Sequence, residues 1–327
     1  MRLATLDGPG RDGRLCVVSA DGRRLLPVPD VAPTLQAALD DWAQHRPLLE
    51  RAAASLENDA ALGQPLDAKA LAAPLPRSYA FLDGSVYLNH MELVRRARGA
   101  ELPPTAYEEP ALYQGASDGF TPPTAPILVA REDFGIDFEA EIGVIVDDVP
   151  MGVDVTNAAA RILLLVLLND VSLRELVPAE FAKGFGFLNS KPRNTLAPFV
   201  ATLDEVGQYW RNGLMHLPLS IRRNGQVVGA LDCGADAQFN FPHLIAHAAR
   251  TRPLAAGTII GAGTVSNRNP DSGVACLAEL RALEAIEHGE RRTPYLRFGD
   301  RVQLEVHDGT GRSLFGAIDQ YVQQAMV

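Results

Sequence analysis

Short apolar runs broken by turns open the chain, a pattern typical of strands. Arg2–Leu6, Arg14–Ser19 and Arg24–Val28 are separated by glycine-containing turns, and we predict a strand for each. In the next two runs, Thr34–Gln44 and Arg46–Leu56, apolar residues recur at helical spacing and predict two helices. The N-terminal part is therefore expected to be a small α+β module.

The remainder of the chain is predicted to be mostly β. Its predicted strands are Ile127–Val129, Glu139–Val146, Leu163–Asp170, Leu217–Arg222, Gln226–Leu231, Thr258–Gly261 and Arg301–Val306. Asn224-Gly225 lies between two of these strands and is typical of a type I′ hairpin. Short helices are predicted to start near Val155 and to span Pro242–Arg250.

A change in composition near residue 75 predicts two parts. Residues 57–76 are rich in alanine, leucine and proline and are typical of a connecting segment. We therefore predict an N-terminal domain of residues 1–75 and a larger domain of residues 76–327. Within the larger domain, the segment Glu92–Pro126 is dense in proline and glycine beside polar residues, which favours functional loops.

The balance of charge narrows the range of partners. The chain has 327 residues, of which 47% are hydrophobic and 21% are charged, and its net charge is −10. An acidic surface argues against nucleic acid and membrane as partners, but a locally positive pocket could still bind a small anion. The start of the chain lacks a signal-like apolar region, and the apolar run Ile162–Leu168 is too short to cross a bilayer. We expect a cytoplasmic protein whose three scattered cysteines are reduced.

Three acids alternate along one predicted strand. Asp137, Glu139 and Glu141 would share one face, because side chains two apart in a strand point the same way. An exposed edge strand is one interpretation. The apolar continuation Ile142–Val146 favours a buried strand instead, where neighbouring carboxylates repel and are costly to desolvate. A bound cation removes both costs, and oxygen ligands suit Mg²⁺, Mn²⁺ or Ca²⁺ better than zinc.

Two further acids are candidates for the same site. Asp170 ends a long apolar run, which is consistent with a pocket at a strand end or with a helix N-cap. Asp83 lies in Phe81-Leu82-Asp83-Gly84, which could be a simple turn. The pattern of residues does not by itself unite these acids with Glu139 and Glu141.

Several motifs, in order, resemble the fumarylacetoacetate hydrolase family over about residues 78–320. They are Asp83 seven residues before His90, the Glu-x-Glu of Glu139 and Glu141, and Asn169-Asp170-Val171-Ser172-Leu173-Arg174. The resemblance implies that Asp83, Glu139, Glu141 and Asp170 hold a divalent metal. It also implies that His90 is the catalytic base and Arg174 a cation of the substrate site. An alternative for His90 is a surface residue of a helix starting at Leu88, which the Asp83 spacing makes the less favoured interpretation.

Later segments extend the resemblance. Lys191-Pro-Arg-Asn-Thr-Leu-Ala-Pro resembles the family's Lys-x3-Thr-x2-Pro, and Gly263-Thr264-Val265-Ser266 its Gly-Thr-x-Ser loop. The resemblance assigns catalysis to Lys191 and to Glu279, which would orient the histidine. Substrate contacts are implied for Tyr113, Thr264 and Arg98. Ser85 and Val177 depart from the pattern, standing where a tyrosine and a glutamine are usual.

The resemblance also implies a fold and a reaction. The fold would be α+β and mostly β, a mixed β-sandwich roll of the fumarylacetoacetate hydrolase type with a small N-terminal α+β module. The protein would be a homodimer that uses Mg²⁺ or Ca²⁺, with Mn²⁺ as a further option. It would cleave a carbon–carbon bond in a small anionic β-diketo acid, such as fumarylacetoacetate or a related acylpyruvate, in the catabolism of aromatic amino acids or other aromatic compounds.

Two alternatives remain open at this point. One is a 2-keto acid decarboxylase, hydratase or isomerase of the same superfamily. The other is a non-catalytic binding protein, which would hold no metal.

Overall fold

Strands outnumber helices in the computed structural model, which describes residues 1–97 and 99–326. The strands in chain order are β1 Arg2–Leu6, β2 Arg14–Val18, β3 Arg24–Pro27, β4 Gln64–Pro65, β5 Phe81–Gly84, β6 Leu112–Gly115, β7 Ile127–Val129, β8 Ile136–Asp137, β9 Ala140–Val146, β10 Ile162–Asn169, β11 Ser172–Leu173, β12 Thr195–Thr202, β13 Trp210–Arg211, β14 Leu214–Met215, β15 Pro218–Arg223, β16 Gln226–Asp232, β17 Ile259–Gly261, β18 Arg301–Val306 and β19 Ile318–Gln324.

The helices are mostly short. In chain order they are α1 Leu35–Leu39, α2 Trp42–Asn58, α3 Leu88–Arg96, α4 Val155–Ala159, α5 Val177–Phe181, α6 Leu203–Val206, α7 Phe241–Ala248 and α8 Leu277–His288. None of the helices in the described ranges is long and apolar enough to cross a membrane. The predicted α+β fold, mostly β, is confirmed.

A ten-stranded mixed sheet forms the centre of the molecule, in the order β4-β3-β2-β1-β12-β10-β9-β17-β5-β6. Every residue of β9 and β12 is buried. Strands covered on both faces are expected to be apolar along their whole length, as Ile142–Val146 is. A five-stranded sheet, β16-β15-β18-β19-β7, packs through the same apolar core.

The sheet order brings the predicted acids together. β10 pairs with β9, β9 with β17, and β17 with β5, so the strand ends that carry Asp170, Glu141 and Asp83 are near neighbours. Glu141 lies opposite Leu168, and Asp83 opposite Gly261. The topology therefore concentrates carboxylates at one end of the central strands.

The N-terminal strands belong to the same sheet. β1 pairs antiparallel with β12, and one apolar cluster combines residues of the first 75 positions with Leu164, Val166 and Leu168 of β10. The division of the chain at residue 75 stays a prediction, but the two parts share hydrogen bonds and core.

Element boundaries shift from those predicted where polar residues interrupt an apolar pattern. The first predicted helix ends early, because α1 stops at Leu39 and Asp40 and Asp41 separate it from α2. The hairpin predicted at Asn224-Gly225 is confirmed, and both residues have the positive φ of 50° and 80° that a type I′ turn requires.

We predict that a fragment of residues 78–327 aggregates. Removing β1 to β4 would leave the edge of β12 without a hydrogen-bonding partner and expose the apolar residues of β10. The soluble fraction and the size-exclusion profile of the fragment, compared with those of the full chain, test this. A soluble, monodisperse fragment with unchanged near-ultraviolet circular dichroism would contradict it.

Candidate functional site

Three buried carboxylates form the centre of the candidate site. Oxygens of Asp83, Glu141 and Asp170 lie within 4.8 Å of one another. Both side-chain oxygens of Glu141 and Oδ1 of Asp170 have no hydrogen-bond partner within the described ranges. Buried polar atoms are almost always paired, so unpaired carboxylate oxygens that converge on one point fit a cation that they would coordinate.

The pKa values of these acids show that burial close together disfavours their charged forms. Burial, with repulsion from Asp170, raises the pKa of Asp83 to about 8. Burial and the neighbouring Asp83 likewise raise the pKa of Glu141 well above its usual value. A divalent ion would offset both causes, because it replaces lost hydration and attracts the charged form. The donor set is all oxygen, which suits Mg²⁺, Ca²⁺ or Mn²⁺.

Glu139, the fourth predicted ligand, has different neighbours. Its carboxylate accepts hydrogen bonds from Arg174 Nη2 at 2.6 Å, Lys191 Nζ at 2.5 Å and Ser172 Oγ at 3.2 Å. Burial opposes its ionisation, but the two cations outweigh burial and hold the pKa of Glu139 well below its usual value. Glu139 is thus a fixed negative charge.

Lys191 connects Glu139 to the three-carboxylate cluster. Its Nζ lies 2.5 Å from Glu139 Oε2 and 2.5 Å from Asp170 Oδ2. Burial opposes charge on the amine, but the two acids more than compensate and raise the pKa of Lys191. The structure therefore places the four predicted ligands together. Oxygens of three of them lie within 4.8 Å of one another, and the fourth, Glu139, shares the Lys191 ammonium group with Asp170.

Gly261 leaves the room that the cluster needs. A Cβ atom at this position would stand 2.2 Å from Asp83 Oδ1 and 3.3 Å from Glu141 Oε2. The close approach of the strand backbone to these carboxylates explains the glycine. The backbone N–H of Gly263 donates to Asp83 Oδ1 at 3.2 Å.

His90 and Glu279 form a dyad next to this cluster. His90 lies on α3, and its Nδ1 is 3.0 Å from Glu279 Oε2. A nitrogen of His90, a Glu139 oxygen and the Cys276 sulfur lie within 4.8 Å of one another. The pairing of an imidazole with a buried carboxylate fixes the tautomer of the ring and prepares it to accept a proton.

A second hydrogen-bond layer supports Glu279. Ser266 Oγ donates to Glu279 Oε1 at 2.9 Å, and Asn89 Nδ2 donates to Ser266 Oγ at 2.8 Å. Sequence reasoning missed Asn89 and gave Ser266 no role, although the Ser266 position within Gly-Thr-x-Ser was a usable signal. Asn89 precedes His90, so one turn of α3 supplies both the histidine and part of the support for its partner.

Asp137 joins the dyad to the cations. Its carboxylate accepts the backbone N–H groups of Leu277 and Ala278 at 2.7 and 2.9 Å, which places it at the N-terminus of α8, the helix that carries Glu279. Arg174 Nε donates to Asp137 at 2.9 Å. The three acids do not lie on one continuous strand as expected, because β8 ends at Asp137 and β9 begins at Ala140.

The remaining predicted substrate residues are placed as follows. Tyr113 lies opposite Asp83 on β6, and its hydroxyl donates to Asp170 Oδ2 at 2.6 Å. Its ring centre is 5.3 Å from Lys191 Nζ. Thr264 is buried in the segment after β17. Arg98 lies outside the described residues, so its predicted substrate contact stays a prediction.

Comparison with protein families gives a match over nearly the whole chain. The family described as fumarylacetoacetate hydrolase, C-terminal, matches residues 80–323, and the one described as fumarylacetoacetase N-terminal domain 2 matches residues 1–77. A fumarylacetoacetase of Arabidopsis thaliana is 26% identical over 195 residues, which are 51% of this chain and 46% of that protein. This chain thus spans less than half the length of that relative.

Solved structures share the fold at low sequence identity. The maleylpyruvate hydrolase of Sphingobium sp. SYK-6, in complex with manganese(II) and pyruvate, aligns with a TM-score of 0.66 at 17% identity over the full length of both chains. A 5-carboxymethyl-2-hydroxymuconate delta-isomerase of Mycobacterium smegmatis aligns with a TM-score of 0.61 at 15% identity, also over both full lengths. The same fold thus occurs in proteins with two different reaction names.

We predict that Glu141→Gln abolishes stabilisation by a divalent metal while leaving the metal-free protein folded. In the native chain, a metal at 100 times its dissociation constant adds about 2.7 kcal/mol of stability. The variant lacks one ligand charge, but it also relieves carboxylate repulsion. Thermal unfolding with and without MnCl₂ or MgCl₂ measures both effects, with Glu290→Gln as the exposed control. A metal-induced rise in Tm that survives Glu141→Gln would refute the assignment.

The stabilisation of the fold by a bound divalent metal should depend on pH. Because the pKa of Asp83 is raised to about 8 in the folded protein, the protonated form stabilises the metal-free fold. That contribution is complete below the unfolded pKa and is lost as the pH rises toward 8. The metal-free Tm should therefore fall between pH 6 and pH 8.5, while the rise in Tm caused by metal becomes larger. A metal effect that shrinks over this range would contradict the site.

Proposed function

The chain belongs to the fumarylacetoacetate hydrolase family, as its motifs predicted, and on that premise we propose that it is a metal-dependent C–C bond hydrolase. The proposed substrate is a small β-diketo acid, such as fumarylacetoacetate or a related acylpyruvate, produced in aromatic compound catabolism. The observation that carries the proposal is the His90–Glu279 dyad beside four carboxylates and two cations, of which Lys191 is buried and Arg174 is partly buried.

The proposed metal ligands are Asp83, Glu139, Glu141 and Asp170. A divalent ion bound there would polarise the substrate's keto oxygens and neutralise the negative charge that develops when the bond breaks. Mg²⁺, Ca²⁺ and Mn²⁺ all suit the oxygen donors. Lys191 and Arg174 add fixed positive charge at the same place, and their acidic partners hold both side chains in position before substrate arrives.

The proposed general base is His90. It removes a proton from water, whose oxygen forms a bond to the acyl carbonyl carbon of the substrate. The bond between that carbon and the neighbouring methylene then breaks, and its electron pair leaves with the methylene carbon as an enolate. The imidazolium returns the proton to the enolate, giving a carboxylic acid and a smaller keto acid. Glu279 orients the ring and stabilises its cation throughout.

The same dyad favours hydrolysis over decarboxylation and over non-catalytic binding. Decarboxylation of a 2-keto acid needs no activated water, and a non-catalytic binding protein needs no base. A hydratase or an isomerase also needs a base for proton transfer, so the choice between these reactions and hydrolysis rests on the substrate measurements. We further propose a homodimer, which light scattering would test.

We predict that His90→Ala lowers kcat on acylpyruvates by about 10²–10⁴-fold with a small change in KM. Glu279→Gln should lower kcat less, because it leaves the imidazole in place but removes the charge that stabilises its cation. The measurement is spectrophotometric hydrolysis of fumarylacetoacetate, fumarylpyruvate and simple acylpyruvates with Mg²⁺ or Mn²⁺. His243→Ala, on the partly exposed face of α7, is the matched control.

Metal-induced stabilisation should remain in His90→Ala, because the three-carboxylate cluster does not include His90. Full acylpyruvate hydrolysis by His90→Ala would reject the proposed mechanism. If the native chain does not hydrolyse acylpyruvates but decarboxylates or isomerises a 2-keto acid, the protein belongs to the alternative reaction class.

A further inference from the structure

A short run of apolar residues lies exposed beside the site. The segment Phe181–Leu188, called here the aromatic segment, begins at the last residue of α5. Three of its side chains are largely exposed: Phe181 at 58%, Phe185 at 98% and Leu188 at 77%. Single exposed apolar residues are ordinary, but several on one segment next to catalytic groups are typical of a binding surface.

The aromatic segment is continuous with the catalytic groups through Phe187. The Phe187 ring centre is 5.0 Å from that of Tyr113 and 5.8 Å from Lys191 Nζ, and Phe181 packs edge-on against Phe187 at 4.9 Å. Tyr113 in turn donates to Asp170. A row of aromatic rings therefore leads from the carboxylate cluster to solvent.

Glu180 fixes the end of the aromatic segment. Its carboxylate accepts the backbone N–H groups of Leu188, Asn189 and Ser190 at 3.1, 2.6 and 3.2 Å, and also the Ser190 hydroxyl. The aromatic segment thus starts at the end of α5 and returns to the Glu180 carboxylate of the same helix. Lys191 follows directly after this return. Such closure holds the rings of the segment near the cluster rather than leaving them on a free loop.

The charges around the aromatic segment favour an uncharged ligand group. Lys191 and Arg174 are already bound to acids, to Glu139 and Asp170 in one case and to Asp137 and Glu139 in the other. Within the segment itself, Lys183 is the one cationic residue, and its side chain is exposed. Aromatic rings gain free energy by covering apolar surface, but they do not replace the hydration of a carboxylate.

We propose that the aromatic segment is the subsite for the acyl arm of the substrate, and that it selects an apolar arm, aromatic or alkyl, over an arm that ends in a carboxylate. The inference rests on the proposed function and narrows it. Acylpyruvates with a phenyl or alkyl arm would be better substrates than those with a fumaryl arm.

The test compares three acylpyruvates that differ only in the arm: benzoylpyruvate, acetylpyruvate and fumarylpyruvate, each hydrolysed with Mn²⁺. We expect kcat/KM for benzoylpyruvate to exceed that for fumarylpyruvate by about tenfold or more, the ratio that burial of an aromatic ring supports. Calorimetric binding of benzoylpyruvate and fumarylpyruvate to His90→Ala in the presence of Mn²⁺ gives the same comparison without turnover.

Variants locate the preference. Phe187→Ala and Phe185→Ala should each reduce the ratio several-fold, mainly through KM for benzoylpyruvate, and Phe185→Ala is expected to fold normally because its side chain is 98% exposed. Tyr321→Ala removes an exposed aromatic residue, 51% accessible, from the five-stranded sheet, and should leave the ratio unchanged. Lys183→Ala should have no effect on fumarylpyruvate.

Three results would overturn the inference. One is fumarylpyruvate as the better substrate, with a loss of that activity in Lys183→Ala. Another is an unchanged ratio in both phenylalanine variants. A third is a shift from dimer to monomer in Phe185→Ala with the substrate ratio intact, which would make the segment a subunit interface. Absence of turnover with all three compounds would reject the proposed function, and the binding comparison would then decide the subsite alone.

Discussion

The mutual repulsion of buried carboxylates is the constraint on which the site depends. Asp83, Glu141 and Asp170 come from three strands whose order in the sheet makes their ends converge, and burial raises the pKa of each. A fold that needed only stability would place apolar residues there. The unpaired oxygens and the glycine that makes room for them are therefore best understood as a metal-coordination site. The stability of the rest of the sheet offsets the free-energy cost of burying these carboxylates.

The cations and the dyad are positioned by the same network. The Asp137 carboxylate accepts hydrogen bonds both from Arg174 and from the backbone at the start of α8. It therefore fixes the helix that carries Glu279 relative to the cation that contacts Glu139. Glu279 then orients His90. The position of the His90–Glu279 dyad and the position of Arg174 consequently both depend on Asp137, which is buried. Asp137 matters for this reason, although it is not a member of the three-carboxylate cluster.

How far the sequence predicts this arrangement differs between local and long-range features. Strands such as Arg2–Leu6, Ile127–Val129 and Arg301–Val306 were predicted with the observed bounds, because a turn or a charge marks each end. Pairing of β1 with β12 was not predictable, since strand order is set by tertiary contacts far apart in the chain. The four carboxylates were united only by family resemblance, because period-two alternation says nothing about which strands meet.

One departure from the family pattern, at Val177, lies next to the aromatic segment. Val177, which stands where a glutamine is usual, begins α5, and that helix leads directly into Phe181 and Phe187. A glutamine could donate a hydrogen bond to a polar arm, whereas the buried valine cannot, and the exposed rings that follow it offer an apolar surface. In the proposed function, the carboxylates, cations and dyad act on the diketo acid core. The two proposals therefore assign reaction type and substrate choice to separate elements. The strand ends of the central sheet would determine the reaction, and the aromatic segment beside Lys191 would determine the choice of substrate.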